Sequence, residues 1–120
     1  MSWNLDNDRP IFVQIVEHLQ CDIVSGVYAP GQKIPSVREL ATEASVNPNT
    51  MQRALSELER DGLMHSERTS GRFITEDITM IDKLKEELAT KQIEDFLKQM
   101  ELLGLSPREI RDLIEKNVKE

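Results

Sequence analysis

The sequence predicts a mainly α-helical fold with one small β-hairpin, followed by a second, purely helical region. Two helix patterns with clear start and stop signals follow each other between Pro30 and Gly62, and a short strand–turn–strand pattern comes directly afterwards. The rest of the chain is long, charged and helical in pattern, with no Gly or Pro before Gly104. We therefore predict two domains, residues 1–76 and residues 77–120.

The first predicted helix begins at Pro10 and ends at Gly26. Proline suits the first turn because its missing N–H would be unpaired there, and glycine favours the left-handed conformation that ends a helix. Apolar residues recur at helical spacing between them, at Phe12, Ile15, Val16, Leu19 and Ile23. This helix is predicted to be scaffold. Trp3 precedes it, and two placements stay open: an edge strand beside the hairpin or packing at a dimer seam.

The second and third predicted helices each carry a local start signal. Ser36 and Glu39 form a capping box, in which each side chain satisfies the other's free backbone donor. Asn47 is the predicted cap of the third helix, and Pro48 occupies its first turn. Only four residues, 44–47, separate the two patterns. The pair therefore has the spacing of a helix-turn-helix.

The third helix pattern has one apolar and one polar face. Its apolar residues point to a core, and they are Met51, Ala54, Leu55 and Leu58. Its polar face carries side chains able to pair with base edges or phosphate oxygens, namely Asn49, Thr50, Gln52, Arg53 and Ser56. Any surface helix has a polar face, so this stretch alone leaves DNA binding and a role without DNA equally open.

The predicted hairpin favours DNA. Strand-like runs at residues 63–68 and 72–75 flank a turn that ends in Gly71. A helix-turn-helix followed by such a hairpin is a winged helix, and the tip of the wing can lie against phosphates or in a minor groove. The predicted fold class is therefore a winged helix-turn-helix followed by a C-terminal two-helix dimerisation hairpin.

Residues 1–76 resemble the N-terminal domain of GntR-family bacterial transcription regulators, and the short C-terminal part resembles the YtrA-type branch of that family. The resemblance is ordered and ungapped, and it is carried by Pro30-Gly31, Ile34-Pro35-Ser36, Arg38, Leu40-Ala41, Val46-Asn47, Asn49-Thr50, Arg53-Ala54-Leu55, Leu58, Asp61-Gly62-Leu63, Gly71 and Phe73-Ile74. It implies a repressor that binds double-stranded DNA. If two such domains are held by a symmetric helical dimer, the operator should be an inverted repeat.

The candidate DNA-binding residues come from both the local pattern and the resemblance. They are Lys33, Ser36, Arg38, Asn47, Pro48, Asn49, Thr50, Gln52, Arg53, Gly71 and Arg72. The resemblance gives Arg38 a base or phosphate contact and makes Gly71 the wing-tip glycine. Pro48 and Gln52 stand where relatives often have arginine, so base preference does not transfer. Gln52 is hypothesised to pair with adenine, and a Gln52→Ala variant that bound every operator variant as the parent does would refute this.

The charge distribution limits how the chain can hold DNA. The formal net charge is -7, and both predicted domains carry more acidic than basic side chains. The stretch 30–56 has a small positive balance in a chain that is otherwise negative, from Lys33, Arg38 and Arg53 against Glu39 and Glu43. Because affinity for nucleic acid depends largely on neutralised phosphates, we expect few ionic contacts per subunit and two subunits acting together.

The C-terminal region is predicted to form a helical hairpin that pairs with a second copy. Its first helix has a heptad-like apolar stripe, Gly104 is a stop signal, and Ser106 with Glu109 forms another capping box. The hairpin has more apolar surface than two helices bury against each other. The predicted dimerisation residues are Ile81, Leu84, Leu88, Ile93, Phe96, Met100, Leu103, Ile110, Leu113 and Ile114. The alternative is that these helices fold back on their own winged domain.

Other classes of function have little support in the sequence. The single cysteine, Cys21, excludes an internal disulfide, and neither a signal peptide nor a membrane span is apparent, so a cytoplasmic protein is predicted. The chain lacks a phosphate-binding loop, a metal-spaced cluster and a nucleophile motif, which predicts no enzyme activity, no cofactor and no metal. A small-molecule effector stays open. The competing prediction is a winged-helix adaptor that binds protein without DNA specificity.

Overall fold

The computed structural model describes residues 3–119 and has five helices and two strands in this range. The elements are α1 (Ile11–Ser25), α2 (Val37–Ala44), α3 (Pro48–Arg60), β1 (Met64–Glu67), β2 (Gly71–Ile74), α4 (Ile78–Leu102) and α5 (Pro107–Asn117). The predicted fold class is confirmed. Internal contacts divide the chain into two compact units, the first ending at Leu84 and the second starting at Lys85. The sequence-based boundary after residue 76 stays a prediction.

The core of the first unit is formed by the apolar stripes that the sequence predicts. The largest fully buried side chains come from four of its elements, and they are Ile15, Leu19, Ile23, Leu40, Met51, Leu55, Leu58 and Ile74. Trp3 also lies in this core and stacks on the His18 ring of α1, with the ring centroids 3.9 Å apart. It belongs to neither strand, so the edge-strand placement is wrong.

The N-terminal arm before α1 is held by a buried glutamine that the sequence analysis did not single out. The Gln14 side chain accepts from the Asp6 backbone N–H at 2.8 Å and donates to the backbone carbonyls of Asp6 and Arg9. The Gln14 side chain thus supplies hydrogen-bond partners for backbone groups of the arm, which has no neighbouring strand to pair with them in the range that the structure describes. The arm is thereby fixed to the side of α1.

The helix-turn-helix forms as its caps predict. Ser36 and Glu39 make both hydrogen bonds of the capping box, and Asn47 accepts from the Asn49 backbone N–H at 2.7 Å. Between the two helices, Ser45 adopts a left-handed conformation with φ 58°, and its N–H donates to the carbonyls at the end of α2. A residue with a side chain is strained there, so the turn is tight and specific.

The wing is an antiparallel hairpin in which Met64 faces Ile74 and Glu67 faces Gly71. One further pairing was not predicted: Lys33 forms an isolated bridge with Phe73 of β2. The Ile34 N–H donates to the Arg72 carbonyl at 3.0 Å, and the Ile74 N–H donates to the Gln32 carbonyl at 2.9 Å. The connection before α2 therefore runs along the outer edge of the wing.

The start of α4 contributes to the core of the first unit. Ile81 is buried there, and Leu84 packs against the same cluster. Two of the predicted dimerisation residues thus have apolar partners within their own unit. In the second unit, Gly104 with φ 85° follows α4, and the predicted capping box of Ser106 and Glu109 opens α5. Ile110 of α5 is buried.

Candidate nucleic-acid interface

The first turn of α3 is an uncovered polar surface. Asn47, Pro48 and Asn49 are exposed, and Thr50 is half-buried. The Asn47 side-chain oxygen is occupied by the cap, so its amide N–H₂ group is the part that remains to bind a ligand. Gln52, one turn further on, is exposed and donates through Nε2 to Ser56 Oγ at 3.0 Å. The turn offers hydrogen-bonding groups of the kind that read base edges.

A concave surface of about 640 Å³ lies between the start of α2 and the wing. Residues 33–37, 39 and 66–72 line it, so Lys33, Ser36, Gly71 and Arg72 of the predicted site meet here. Arg38 is exposed on α2 but is not part of this lining. The structure therefore brings together site residues that are far apart in sequence.

Gly71 lets the Lys33 side chain pass close to the wing backbone. Its φ is 115°, and a Cβ atom built on it would lie 2.9 Å from Lys33 Cε. A side chain at this position would both strain the backbone and push the lysine aside. The glycine that the resemblance marks as the wing tip thus has a local steric role beside Lys33.

Arg72 is already paired within the protein. Its Nε donates to Glu59 Oε1 near the end of α3, and Ser66 Oγ of β1 donates to the same oxygen. The Arg72 side chain is only 16% exposed. Its contact with DNA stays a prediction, and the structure gives this residue a partner that the sequence analysis did not identify.

Two carboxylates of this region are held in the charged state. Burial raises the pKa of Glu59, but the hydrogen bonds from Ser66 and Arg72 outweigh it, so the net pKa is lowered. The pKa of Glu39 is lowered by the hydrogen bond from the Ser36 backbone N–H and then by that from the Ser36 hydroxyl. Both groups therefore carry full negative charge near neutral pH, which reduces the positive potential of the concave surface.

Arg53 lies against α1. Its guanidinium carbon is 3.7 Å from the centroid of the Phe12 ring, which is the geometry of a cation–π contact. Such a contact engages the flat face of the guanidinium and leaves its N–H edge available. The predicted phosphate contact of Arg53 is compatible with this placement and stays a prediction.

Arg68 is a further candidate that the predicted site did not include. It lies in the turn between β1 and β2, is exposed, and lines the concave surface together with Lys33. The available signal was a basic residue at the end of the first predicted strand, next to the turn of the wing. The predicted site counted only the arginine after the glycine, whereas the structure leaves the arginine before it more exposed.

The part of the chain that the structure describes, residues 3–119, holds no group of three or more His, Cys, Asp or Glu side chains arranged to bind a metal ion. Cys21 is exposed on α1. Within the same range, no helix is both long and apolar enough to cross a membrane.

Sequence comparison relates the chain to bacterial regulators. Residues 12–74 match the family described as bacterial regulatory proteins, gntR family. The uncharacterised HTH-type transcriptional regulator YhcF of Bacillus subtilis is 41% identical, covering 92% of this chain and 91% of YhcF. The HTH-type transcriptional repressor YtrA of Bacillus subtilis is 32% identical, covering 90% of this chain and 84% of YtrA.

Solved structures give the same relationship. A GntR family transcriptional regulator from Listeria monocytogenes superposes with a TM-score of 0.86 at 39% identity, covering 96% of this chain and 100% of that chain. AraR(DBD) in complex with operator ORX1 superposes with a TM-score of 0.57 at 26% identity, covering 62% of this chain and 95% of that chain. The matched segment contains the helix-turn-helix and the wing described above. The chain belongs to the GntR family and is a transcription regulator with a DNA-binding winged helix.

Proposed function

We propose that the protein is a homodimeric repressor that binds an inverted-repeat operator. The observation that carries this proposal is the uncovered polar first turn of α3, in the same unit as a concave surface lined by Lys33 and Arg68. The name of YtrA, a repressor that matches along most of both chains, supports repression. The operator complex of AraR(DBD) supports DNA as the ligand of this fold.

The proposed contacts divide by chemistry. Asn49, Thr50 and Gln52 on α3 are assigned to base edges in the major groove, where amide and hydroxyl groups discriminate between base pairs. Lys33, Arg38 and Arg68 are assigned to phosphates. Arg53 is assigned to a fourth phosphate, as the sequence predicts, and Ser36, Asn47, Pro48 and Gly71 complete the same interface. The base contacts supply specificity, and the phosphate contacts fix the register of the protein on the duplex.

The second unit is proposed to supply the dimer interface because its apolar side chains lack cover. Leu103 is 70% exposed and Ile93 is 56% exposed. An apolar groove of about 430 Å³ lies between α4 and α5, lined by Phe96, Met100, Ile110, Leu113, Ile114, Asn117 and Val118. A contiguous apolar surface of this kind is characteristic of an interface. A second copy of the same unit would bury both surfaces around a twofold axis.

A twofold dimer predicts the form of the operator. Two copies of α3 related by a twofold axis read the same base sequence on opposite strands, so the two half-sites form an inverted repeat. Each subunit offers only four exposed basic side chains for phosphates in this assignment. Both half-sites are therefore needed for tight binding, and this agrees with the acidic charge of the whole chain.

The decisive experiment is a footprint and mobility-shift titration on DNA from upstream of the protein's own gene, repeated across a salt series. A protected inverted repeat is expected. Four phosphate contacts from each of two subunits give a slope of about -7 for the logarithm of the binding constant against the logarithm of the salt concentration. A natively folded dimer without protection or salt dependence would refute the proposal.

That negative outcome would favour the competing function, a winged-helix adaptor for another protein. The acidic charge of the chain permits this alternative, but DNA accounts better for the amide and hydroxyl groups at the start of α3. Because a bacterial regulator acts on the chromosome, the proposed place of action is the cytoplasm. No effector is assigned.

A further inference from the structure

A single carboxylate joins α3 to both strands of the wing. Glu59 Oε1 accepts from Ser66 Oγ of β1 and from Arg72 Nε of β2. Ser66 and Arg72 face each other directly in the hairpin register. The two donors are thus paired residues of the hairpin, one on each strand, and both donate to the same carboxylate of α3.

This ion pair differs from the other arginine–carboxylate pairs of the described residues in its burial. The side chains of Arg72 and Glu59 are 16% and 29% exposed, whereas those of Arg60 and Glu57 are 75% and 37% exposed. Exposed pairs contribute little because water and salt screen them, whereas a partly desolvated pair with several hydrogen bonds holds its geometry better. The Glu59 contact is therefore the one suited to fix an orientation.

We propose that Glu59 is a positioning residue that sets the angle of the wing against the recognition helix α3, and that Arg72 serves this clamp instead of binding a phosphate. The inference rests on the proposed function and deepens it, because it concerns how the wing reaches DNA. Glu59, Ser66 and Arg72 are named the wing clamp.

The wing needs such a clamp because of its size. Met64 and Ile74 anchor the base of the wing in the core, but each strand has only four residues and the tip extends beyond this anchor. The tip carries Arg68, which must meet a phosphate at a fixed distance from the bases read by α3. If the wing were free to swing, ordering it on DNA would cost conformational entropy and weaken binding. The wing clamp removes this cost before the DNA arrives.

The first test uses Glu59→Ala with Glu57→Ala as its matched control. Both variants remove one negative charge from α3, but Glu57 forms its ion pair with Arg60 of its own helix and not with a residue of the wing. Hydrogen exchange of the free protein is expected to be about tenfold faster for wing amides in Glu59→Ala than in Glu57→Ala, with the amides of α1 unchanged. Equal exchange in the two variants would overturn the proposal.

The second test uses hydroxyl-radical footprints on the operator. Glu59→Ala is expected to lose the protections flanking each half-site, which belong to the wing, while keeping those made by α3. A general loss of stability would weaken all protections together. Glu59→Gln, which keeps an acceptor oxygen for Ser66 and Arg72, is expected to restore part of the flanking protection. Uniform weakening in Glu59→Ala would contradict a positioning role.

The role of Arg72 is decided by a double-mutant cycle. If Arg72 acts through Glu59, Arg72→Ala lowers operator affinity in the parent but causes no further loss in Glu59→Ala. The same loss in both backgrounds would make Arg72 a direct DNA contact and overturn the assignment. A parent protein that failed to bind any operator would refute the proposed function, whereas the exchange measurement, made without DNA, would still decide the wing clamp.

Discussion

The Arg53 guanidinium rests on the Phe12 ring, 3.7 Å from its centroid, and so joins α3 to α1 outside the hydrophobic core. Arg53 is exposed on the other side. A long flexible side chain usually loses rotamer freedom when it binds a phosphate. The Phe12 ring already restricts the Arg53 side chain in the free protein, so less rotamer freedom is lost on binding. Phe12, which the sequence presents only as an apolar scaffold residue, therefore also limits the positions of a candidate DNA contact.

Replacement of Arg38 tests the proposed interface directly. Arg38→Ala should weaken operator binding by about tenfold to one hundredfold because a charge-assisted hydrogen bond to a phosphate is lost. The free energy of unfolding should stay within about 0.5 kcal/mol of the parent, since Arg38 is exposed and does not line the core. Arg111→Ala, at an exposed position on α5, is the control and should leave DNA binding unchanged. Equal losses of stability and binding in Arg38→Ala would assign Arg38 a structural role.

Replacement of Gly71 separates backbone strain from contact with Lys33. Gly71→Ala and Gly26→Ala both place a side chain at positive φ, and each should lower the free energy of unfolding by about 1 kcal/mol. Only Gly71→Ala also brings a Cβ atom against Lys33, because nothing lies within 4 Å of a Cβ atom built at Gly26. Titration with the operator should therefore show weaker binding for Gly71→Ala alone. Identical affinities for the two variants would exclude a role for the approach of Lys33.

A charge in the apolar groove of the second unit should separate the dimer. Phe96→Asp is expected to raise the dimer dissociation constant by about one hundredfold or more, because the interface would bury an unpaired carboxylate. Sedimentation velocity measures this, and operator affinity should fall in parallel. Val27→Asp makes the same kind of change at an exposed apolar position of the first unit and should remain dimeric. A Phe96→Asp dimer of parental stability would place the interface elsewhere.

The lowered pKa of Glu59 predicts how the wing clamp responds to acid. The carboxylate stabilises the fold fully above its ordinary pKa of 4.5, and this stabilisation is lost as the pH falls through the lower value of the folded state. Urea unfolding should show Glu59→Gln to be less stable than the parent by on the order of 1 kcal/mol near neutral pH. The difference should shrink as the pH falls below 4.5 and vanish once the Glu59 carboxyl is protonated in the folded protein.

The stability of a control variant shows whether the loss in Glu59→Gln comes from the wing clamp or from the charge of α3. Glu57→Gln removes the same charge from the same helix but breaks an exposed ion pair with Arg60 and not one with the wing, and it should show a much smaller difference from the parent near neutral pH. If Glu59→Gln and Glu57→Gln behaved alike, the change in stability would come from the net charge of α3 and not from the contact with Ser66 and Arg72.

The local signals in the sequence are sufficient to predict the helices of the winged domain. The capping box of Ser36 and Glu39 and the cap at Asn47 involve residues two or three positions apart, so chain geometry alone decides them. The apolar stripe of α3 follows from helical spacing in the same way. Local spacing therefore also identifies the polar residues of the first turn of α3 as candidates for binding.

The contacts that refine the site join residues that are distant in sequence. Glu59 meets Arg72 across 13 positions, and Lys33 pairs with Phe73 across an even longer separation. No periodicity or spacing encodes such pairs, because they depend on how the wing packs once the core has formed. The sequence therefore names both Arg53 and Arg72 as candidates without showing their partners, whereas the structure distinguishes a half-buried ion pair from an exposed guanidinium.

Ser45 in the turn between α2 and α3 has a consequence for the mechanics of DNA reading. A glycine at φ 58° would relax freely into several neighbouring conformations, but the Cβ atom of a serine leaves it few alternatives. The turn is therefore conformationally restricted, and α3 enters the groove in one orientation relative to α2. The folded protein carries a small backbone strain at Ser45. Because the orientation of α3 is already fixed, less conformational entropy is lost when the protein binds DNA.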